Sequence, residues 1–339
     1  MRYVKKLPDG DILKKEYALT PAEQERRQGV IAEIKAILAG KDYRKLICIG
    51  PCSADDRDAV LEYMLRLARL KEKLQERFVL IPRIYTAKPR TTGQGYKGLL
   101  HCPEAVGEEN IFAGIYAMRQ LHLDIIRETG LFSCDELLYP EATYYVDDLL
   151  CYATIGARSV ENQQHRLVAS GYDIPVGMKN PMSGDFSVLL NAIVAAQSEQ
   201  ALLYHGWECH TKGNSFAHAI LRGFVDEEGR AHPNYHFEDL LKFCNMYLEK
   251  DLQNMGVIVD CNHSNSNKNY GSQSRIAKEV LGFCADEWMN GFIKGIMIES
   301  YLEDGAQEPG GGVYGKSITD PCLGWERTER LLLELAEGR

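Results

Sequence analysis

Eight short apolar runs, separated by amphipathic stretches, constrain this chain more than any other feature. They are KLICIG (45–50), FVLIPRIY (78–85), LFSCDELL (131–138), CYATIGA (151–157), PVGMKN (175–180), ALLYHGW (201–207), GVIVDCN (256–262) and GIMIES (295–300). Continuous apolar runs of this length suit parallel strands buried on both faces. Helical spacing of apolar residues fills 58–76, and with less regularity 109–128, 185–198, 237–254 and 272–290. A last helix is expected at about 324–336, and only a weak one after 131–138. Eight strand–helix units predict an α/β fold, a (β/α)8 TIM barrel, over an open doubly wound sheet. Residues 1–44 are expected to precede it as an N-terminal arm and helix, with 45–339 as the catalytic barrel. The helix is expected at 21–39, with Thr20 as N-cap, Pro21 at its first position and Glu23 completing a capping box. The arm would cover the barrel's N-terminal face or reach a partner subunit.

Chemistry in a TIM barrel sits at the C-terminal ends of the strands. Polar groups collect there. Cys52 follows the first run, Arg83, Lys88 and Arg90 the second, and Asp135 and Glu136 end the third. Arg158, Lys179, Arg222, His263 and Glu299 follow in turn, with Asp320 beyond the last run. Cys52, His263, Glu299 and Asp320 combine a thiol, an imidazole and two carboxyl groups, a donor set for a divalent transition metal. They come from runs 1, 7 and 8, which are neighbours only in a closed barrel. That favours the barrel over the open sheet.

The cations form a second group. Net charge is −9, yet no Asp or Glu occurs from Arg77 to Pro103, a stretch holding Arg83, Lys88, Arg90 and Lys97. Arg83, Lys88, Arg90, Arg158, Lys179 and Arg222 therefore predict small substrates with several negative charges. Thr91 and Thr92 add hydroxyl donors, and His165 is a candidate for the site wall. His205, Trp207 and His210 are read as structural, and EPGGGVYGKS (308–317) as a loop that positions Asp320.

The acidic balance argues against nucleic acid or an anionic membrane as partner. No apolar run reaches the roughly 18 residues of a membrane span. Ten scattered cysteines without a Cys-x-x-Cys pair, and an N-terminus without an apolar signal core, point to a reduced, cytoplasmic setting.

Several blocks carry a resemblance: IGPCSADD, KPRTTGQGYKGLLHCP, IGARSVENQQHRLVASG, GNSFAHAILRG, VDCNHSNSNK, IMIESYLEDGAQ and YGKSITDPCLGWE. In order, from about residue 46 to 330, they resemble type I 3-deoxy-D-arabino-heptulosonate 7-phosphate (DAHP) synthases. KPRTT separates that family from synthases of 8-carbon sugar acids. The resemblance implies a TIM barrel that condenses phosphoenolpyruvate with erythrose 4-phosphate, the first step of the shikimate pathway. It implies one divalent metal ion (Mn, Fe, Co or Zn) held by Cys52, His263, Glu299 and Asp320. Phosphoenolpyruvate would meet Arg83, Lys88, Arg158, Lys179 and Arg222, with Glu136 near its phosphate. Erythrose 4-phosphate would meet Arg90 and Thr91. Lys88 and Lys179 are candidates for proton transfer, beside Cys52 and His263. A homodimer or homotetramer is expected. A late-starting arm, a short segment ALLYHGWECHTKGN and an altered loop ELLYPEAT predict weak or absent inhibition by aromatic amino acids. Oxidation of metal-free protein is expected to join Cys52 to Cys322. The alternatives are a sister enzyme for another phosphosugar aldehyde and a non-catalytic metal- and phosphate-binding regulator.

Overall fold

A computed structural model, describing residues 1–338, arranges eight parallel strands as a barrel. They are β1 (Lys45–Gly50), β2 (Phe78–Pro82), β3 (Cys134–Glu136), β4 (Tyr152–Ile155), β5 (Val176–Lys179), β6 (Ala217–Leu221), β7 (Val257–Asp260) and β8 (Ile293–Glu299). Neighbours run β2-β1-β8-β7-β6-β5-β4-β3. A parallel bridge between Arg83 and Cys134 brings the two ends together. Cys52, after β1, and Glu299, at the end of β8, thus lie on adjacent strands, with Gly50 opposite Glu299.

Seven of the eight expected runs supply barrel strands. The sixth does not. ALLYHGW forms an antiparallel hairpin, Ala201–Tyr204 against Trp207–His210, outside the barrel. Its Leu203 and Trp207 are exposed. The sixth barrel strand is AHAIL, beyond that run, and all five of its residues are buried. It is short and carries a histidine. His218 is neutralised as a polar intruder by two hydrogen bonds: Nδ1 donates to Phe216 O and Nε2 accepts from Tyr152 Oη, each at 2.8 Å.

That pair belongs to a polar layer inside the barrel. Tyr85 Oη and Thr154 Oγ1 are 2.7 Å apart there. Gly177 makes room: a Cβ at that position would come within 2.2 Å of Tyr152 Oη.

The helical expectations hold at 57–74, 111–129, 186–197 and 325–337. The expected helix at 237–254 ends at Leu248. The one at 272–290 breaks at a 3₁₀ turn, Phe283–Ala285, into Gln273–Gly282 and Glu287–Phe292. After β3 there is one helical turn, Pro140–Thr143.

Helix Pro21–Leu38 starts with the expected capping box. Thr20 Oγ1 accepts from Glu23 N at 3.3 Å, and Thr20 N donates to Glu23 Oε2 at 2.7 Å. Its buried Ile31, Ile34, Ile37 and Leu38 join the main core. A short helix before it, Gly10–Glu16, packs beside the 139–149 loop. Lys14 pairs with Asp147 at 2.6 Å, and Tyr145 Oη donates to Pro8 O at 3.1 Å.

Candidate active site

The site begins with a glycine. A Cβ on Gly50 would sit 2.3 Å from Arg83 O, so only glycine allows β1 and β2 to approach this closely at their ends. The chain then turns through Pro51, whose carbonyl accepts from Arg83 Nη1 at 2.7 Å, and delivers Cys52 over the barrel. Beyond β8, Leu323 N donates to Glu299 O at 2.9 Å. This clips the 317–323 segment against the strand and carries Asp320 toward the same point. Ser53 and Thr319 hydroxyls meet at 2.9 Å and tie the two segments together.

Ligand atoms of Cys52, Glu299 and Asp320 all lie within 4.8 Å of one another. His263 approaches from β7, its Nε2 3.6 Å from Glu299 Oε1. Its backbone has φ +46°, a left-handed conformation that a non-glycine residue adopts only when neighbours enforce it. Lys268 N supports it by donating to His263 O at 2.8 Å. Glu299 is held from both sides. Arg83 Nη2 lies 2.8 Å from Oε1, and Asn262 Nδ2 donates to Oε2 at 2.5 Å. Gln273 brackets its backbone, donating to Glu299 O and accepting from Glu299 N, both at 2.9 Å.

A cavity of about 280 Å³ opens beside this cluster. All six cations singled out in the sequence line it: Arg83, Lys88, Arg90, Arg158, Lys179 and Arg222. Glu136, His263 and Asp320 line it as well. Thr91 stands at the rim, where its Oγ1 accepts from Arg158 Nε at 3.1 Å. His165 takes no part in this wall: its ring nitrogens lie 2.9 Å from Leu138 O and 2.9 Å from Asn162 Oδ1. Asp135 is also drawn inward, accepting from the backbone of Thr86 at 3.0 Å and of Glu136 at 2.7 Å.

The electrostatics join the two groups. Lys88 Nζ is 2.5 Å from Cys52 Sγ and 3.6 Å from Asp320 Oδ2. Burial opposes charge on Lys88, but Cys52, Asp320 and Glu299 outweigh it and hold the ammonium above its ordinary range. Burial, reinforced by Glu299, pushes the Cys52 thiol up to about 11. Burial alone would raise Asp320; Lys88, His263 and Lys268 hold it well below the usual carboxylate range. All ten cysteines, Cys322 included, are free thiols.

Two members of the site were not singled out from the sequence. Lys268 lines the cavity and sets its Nζ 2.8 Å from Asp320 Oδ1. Asp260, fully buried at the end of β7, lies 2.8 Å from His263 Nδ1 and 3.6 Å from Lys179 Nζ. Asp260 carried one available signal. It is the acid closing an otherwise apolar strand run, at the end where barrel chemistry gathers.

Fold and site together define a class: a TIM-barrel enzyme whose strand ends offer a thiol–imidazole–carboxylate cluster next to a cavity for small polyanions. The sequence profile of the DAHP synthetase I family matches residues 20–333. A Trp-sensitive phospho-2-dehydro-3-deoxyheptonate aldolase of Escherichia coli O157:H7 is 37% identical over 332 residues, covering 95% of this chain and 92% of that protein. A Tyr-sensitive one of Salmonella typhimurium is also 37% identical, covering 93% and 87%. The solved phospho-2-dehydro-3-deoxyheptonate aldolase of Francisella tularensis superposes with a TM-score of 0.92 at 32% identity, covering 100% of this chain and 98% of that one. The chain belongs to the DAHP synthetase I family, and its activity is that of a 3-deoxy-7-phosphoheptulonate synthase.

Proposed function

We propose that the chain condenses phosphoenolpyruvate with erythrose 4-phosphate and water, releasing phosphate, in a reaction assisted by one divalent metal ion. The observation that carries this is the single cavity lined by six sequence-singled cations and edged by His263 and Asp320. Arg158, Lys179 and Arg222 hold the phosphate and carboxylate of phosphoenolpyruvate, with Arg83 and Lys88 deeper in. Glu136 lies beside that phosphate. Arg90 and Thr91, nearer the rim, take the phosphate of the aldehyde substrate. C3 of phosphoenolpyruvate attacks the aldehyde carbon, C2 takes a water, and phosphate leaves with cleavage of its C–O bond.

The donor set fits a transition metal. A thiol and two carboxylates gather, an imidazole nitrogen stands 3.6 Å from one of them, and Asp320 N and Lys88 already direct hydrogen bonds at the sulfur, 3.4 and 2.5 Å away. Cys52, His263, Glu299 and Asp320 would hold Mn, Fe, Co or Zn. When bound, such an ion supplies Lewis acidity to the aldehyde oxygen. Lys88 is placed to hold a proton between sulfur and Asp320, and Lys179 to hold one on the opposite wall.

The reading includes weak or absent inhibition by aromatic amino acids, although relatives are named Trp- and Tyr-sensitive. What supports it is local. The hairpin Ala201–His210 is short, with a two-residue turn, and the Tyr144 ring packs against His205 at 4.2 Å. Sharp loss of turnover with micromolar phenylalanine, tyrosine or tryptophan would refute this part. The reading also keeps the oxidative pairing of Cys52 with Cys322 in metal-free protein, for which mass spectrometry of the oxidised apoprotein is decisive.

The test of the whole is to incubate the protein with phosphoenolpyruvate, a panel of phosphosugar aldehydes and several metals, following loss of enol absorbance. Turnover is expected with erythrose 4-phosphate, to be lost on chelation. Preference for another aldehyde would favour the sister-enzyme reading. No turnover with any aldehyde would favour a non-catalytic regulator.

A further inference from the structure

Asp260 carries a carboxylate that reaches both halves of the site. Its Oδ2 lies 2.8 Å from His263 Nδ1 and 3.6 Å from Lys179 Nζ. Those two residues come from different places. Lys179 ends β5, whereas His263 follows β7.

The carboxylate is not free to turn. Asn262 N donates to Asp260 Oδ1 at 3.0 Å. The backbone is pinned as well: Asn265 Nδ2 donates to Asp260 O at 2.8 Å and to Leu221 O at 3.1 Å, locking β7 to β6 at their ends. Asp260 Oδ2 and His263 Nδ1 are both buried without a well-aligned hydrogen-bond partner; the two face each other at 2.8 Å, with the Lys179 ammonium 3.6 Å from the same oxygen. Asp260 is entirely inaccessible to solvent, so no water competes for that oxygen.

We propose that Asp260 is a positioning residue: its fixed carboxylate holds His263 with the proton on Nδ1, so that Nε2 presents a lone pair to a divalent ion, and it fixes the Lys179 ammonium against the substrate cavity. This rests on the reading of His263 as a metal ligand. The chemistry is that of acceptor and donor. A carboxylate oxygen accepts only, so the nitrogen facing it carries the hydrogen. The other nitrogen faces Glu299 and is left to coordinate. The same carboxylate therefore couples metal affinity to the placement of a substrate-binding lysine.

The experiment uses the full chain. In metal-free protein with ¹⁵N-labelled histidine, the His263 signals are assigned by their loss in His263→Ala. Wild type is expected to carry the hydrogen on Nδ1. Asp260→Asn presents either an amide donor or a weaker acceptor, and is expected to mix or reverse the tautomer. With Co²⁺ as probe, followed through its thiolate charge-transfer band, Asp260→Asn is expected to weaken binding by roughly tenfold to a hundredfold. Its KM for phosphoenolpyruvate should rise along with the fall in kcat. A wild-type hydrogen on Nε2 overturns the proposal, and this measurement stands even where the variant fails to fold. So does Co²⁺ affinity in a folded Asp260→Asn within about twofold of wild type, well short of such a supporting effect. Unchanged Co²⁺ affinity in His263→Ala would instead overturn the ligand reading.

Discussion

At the scale of single residues, the site depends on how closely backbones approach. Gly50 shows this best, since a methyl group there would meet a backbone carbonyl that has nowhere to go. Gly50→Ala is expected to cost about 1–3 kcal/mol of stability, the range for forced overpacking. Its effect on turnover should be larger, because Cys52 lies two residues on; a displacement near 1 Å lowers kcat on the order of a hundredfold. Denaturant unfolding and steady-state kinetics on the same sample separate the two. Arg90 sets a contrasting expectation. Its Nε donates to Tyr96 O at 2.7 Å, which leaves the outer guanidinium nitrogens for a ligand at the rim. Arg90→Ala should raise KM for erythrose 4-phosphate on the order of tenfold to a hundredfold, as loss of a charged hydrogen bond does. KM for phosphoenolpyruvate should move little, and an equal rise in both would misplace the aldehyde's phosphate. Arg83, Lys88 and Arg90 were legible because their stretch has no acid to pair with, and Arg158, Lys179 and Arg222 because they fall at or beyond the ends of apolar runs. Lys268 was not, because it sits in a polar stretch without periodicity, and only the left-handed turns of Asn267 and itself bring it back over Asp320.

At the scale of elements, seven strands could be read because each is an apolar run between polar boundaries. The eighth could not. ALLYHGW is the longer run, yet it lies outside the barrel, while the shorter AHAIL carries a histidine into its interior. What makes His218 tolerable is Tyr152, distant in sequence, together with the Phe216 carbonyl. No local pattern encodes that partnership. It has a measurable consequence. Burial pushes His218 down to about 4 from an ordinary 6.5. Between those values the unfolded chain binds a proton that the folded protein refuses, so stability falls as pH drops through this window. The full loss is roughly 3 kcal/mol from this one group. Urea unfolding at pH 7 and pH 4.5 should show it, and His218→Gln should remove that share of the acid sensitivity. An unchanged pH dependence in the variant would mean that His218 binds its proton equally well in the folded and the unfolded chain.

At the scale of the whole molecule, the four proposed ligands tie together parts of the chain that are far apart. Cys52 follows the first strand and Asp320 follows the last, 268 residues later. Barrel closure is therefore completed twice. Parallel pairing of β1 with β8 closes it through the backbone. The thiol–imidazole–carboxylate cluster closes it again across the top, where Cys52, Glu299 and Asp320 gather their ligand atoms within 4.8 Å. Without a cation that second closure sets a buried thiol and two carboxylates side by side, offset by Lys88, Arg83 and Lys268. A divalent ion binds only the folded arrangement, so its affinity adds directly to stability, by about 2.7 kcal/mol at a hundredfold excess over its Kd. Thermal melting should rise by several degrees when Mn²⁺ or Co²⁺ is added to chelated protein. In His263→Ala the gain should shrink, and in Cys52→Ala it should all but vanish. The order matters, because Cys52 and Asp320 join the two ends of the barrel sequence, whereas His263 and Glu299 come from adjacent strands that pair without help. Equal metal-induced shifts in wild type and in both variants would place the ion elsewhere and leave the cluster as a set of ion pairs.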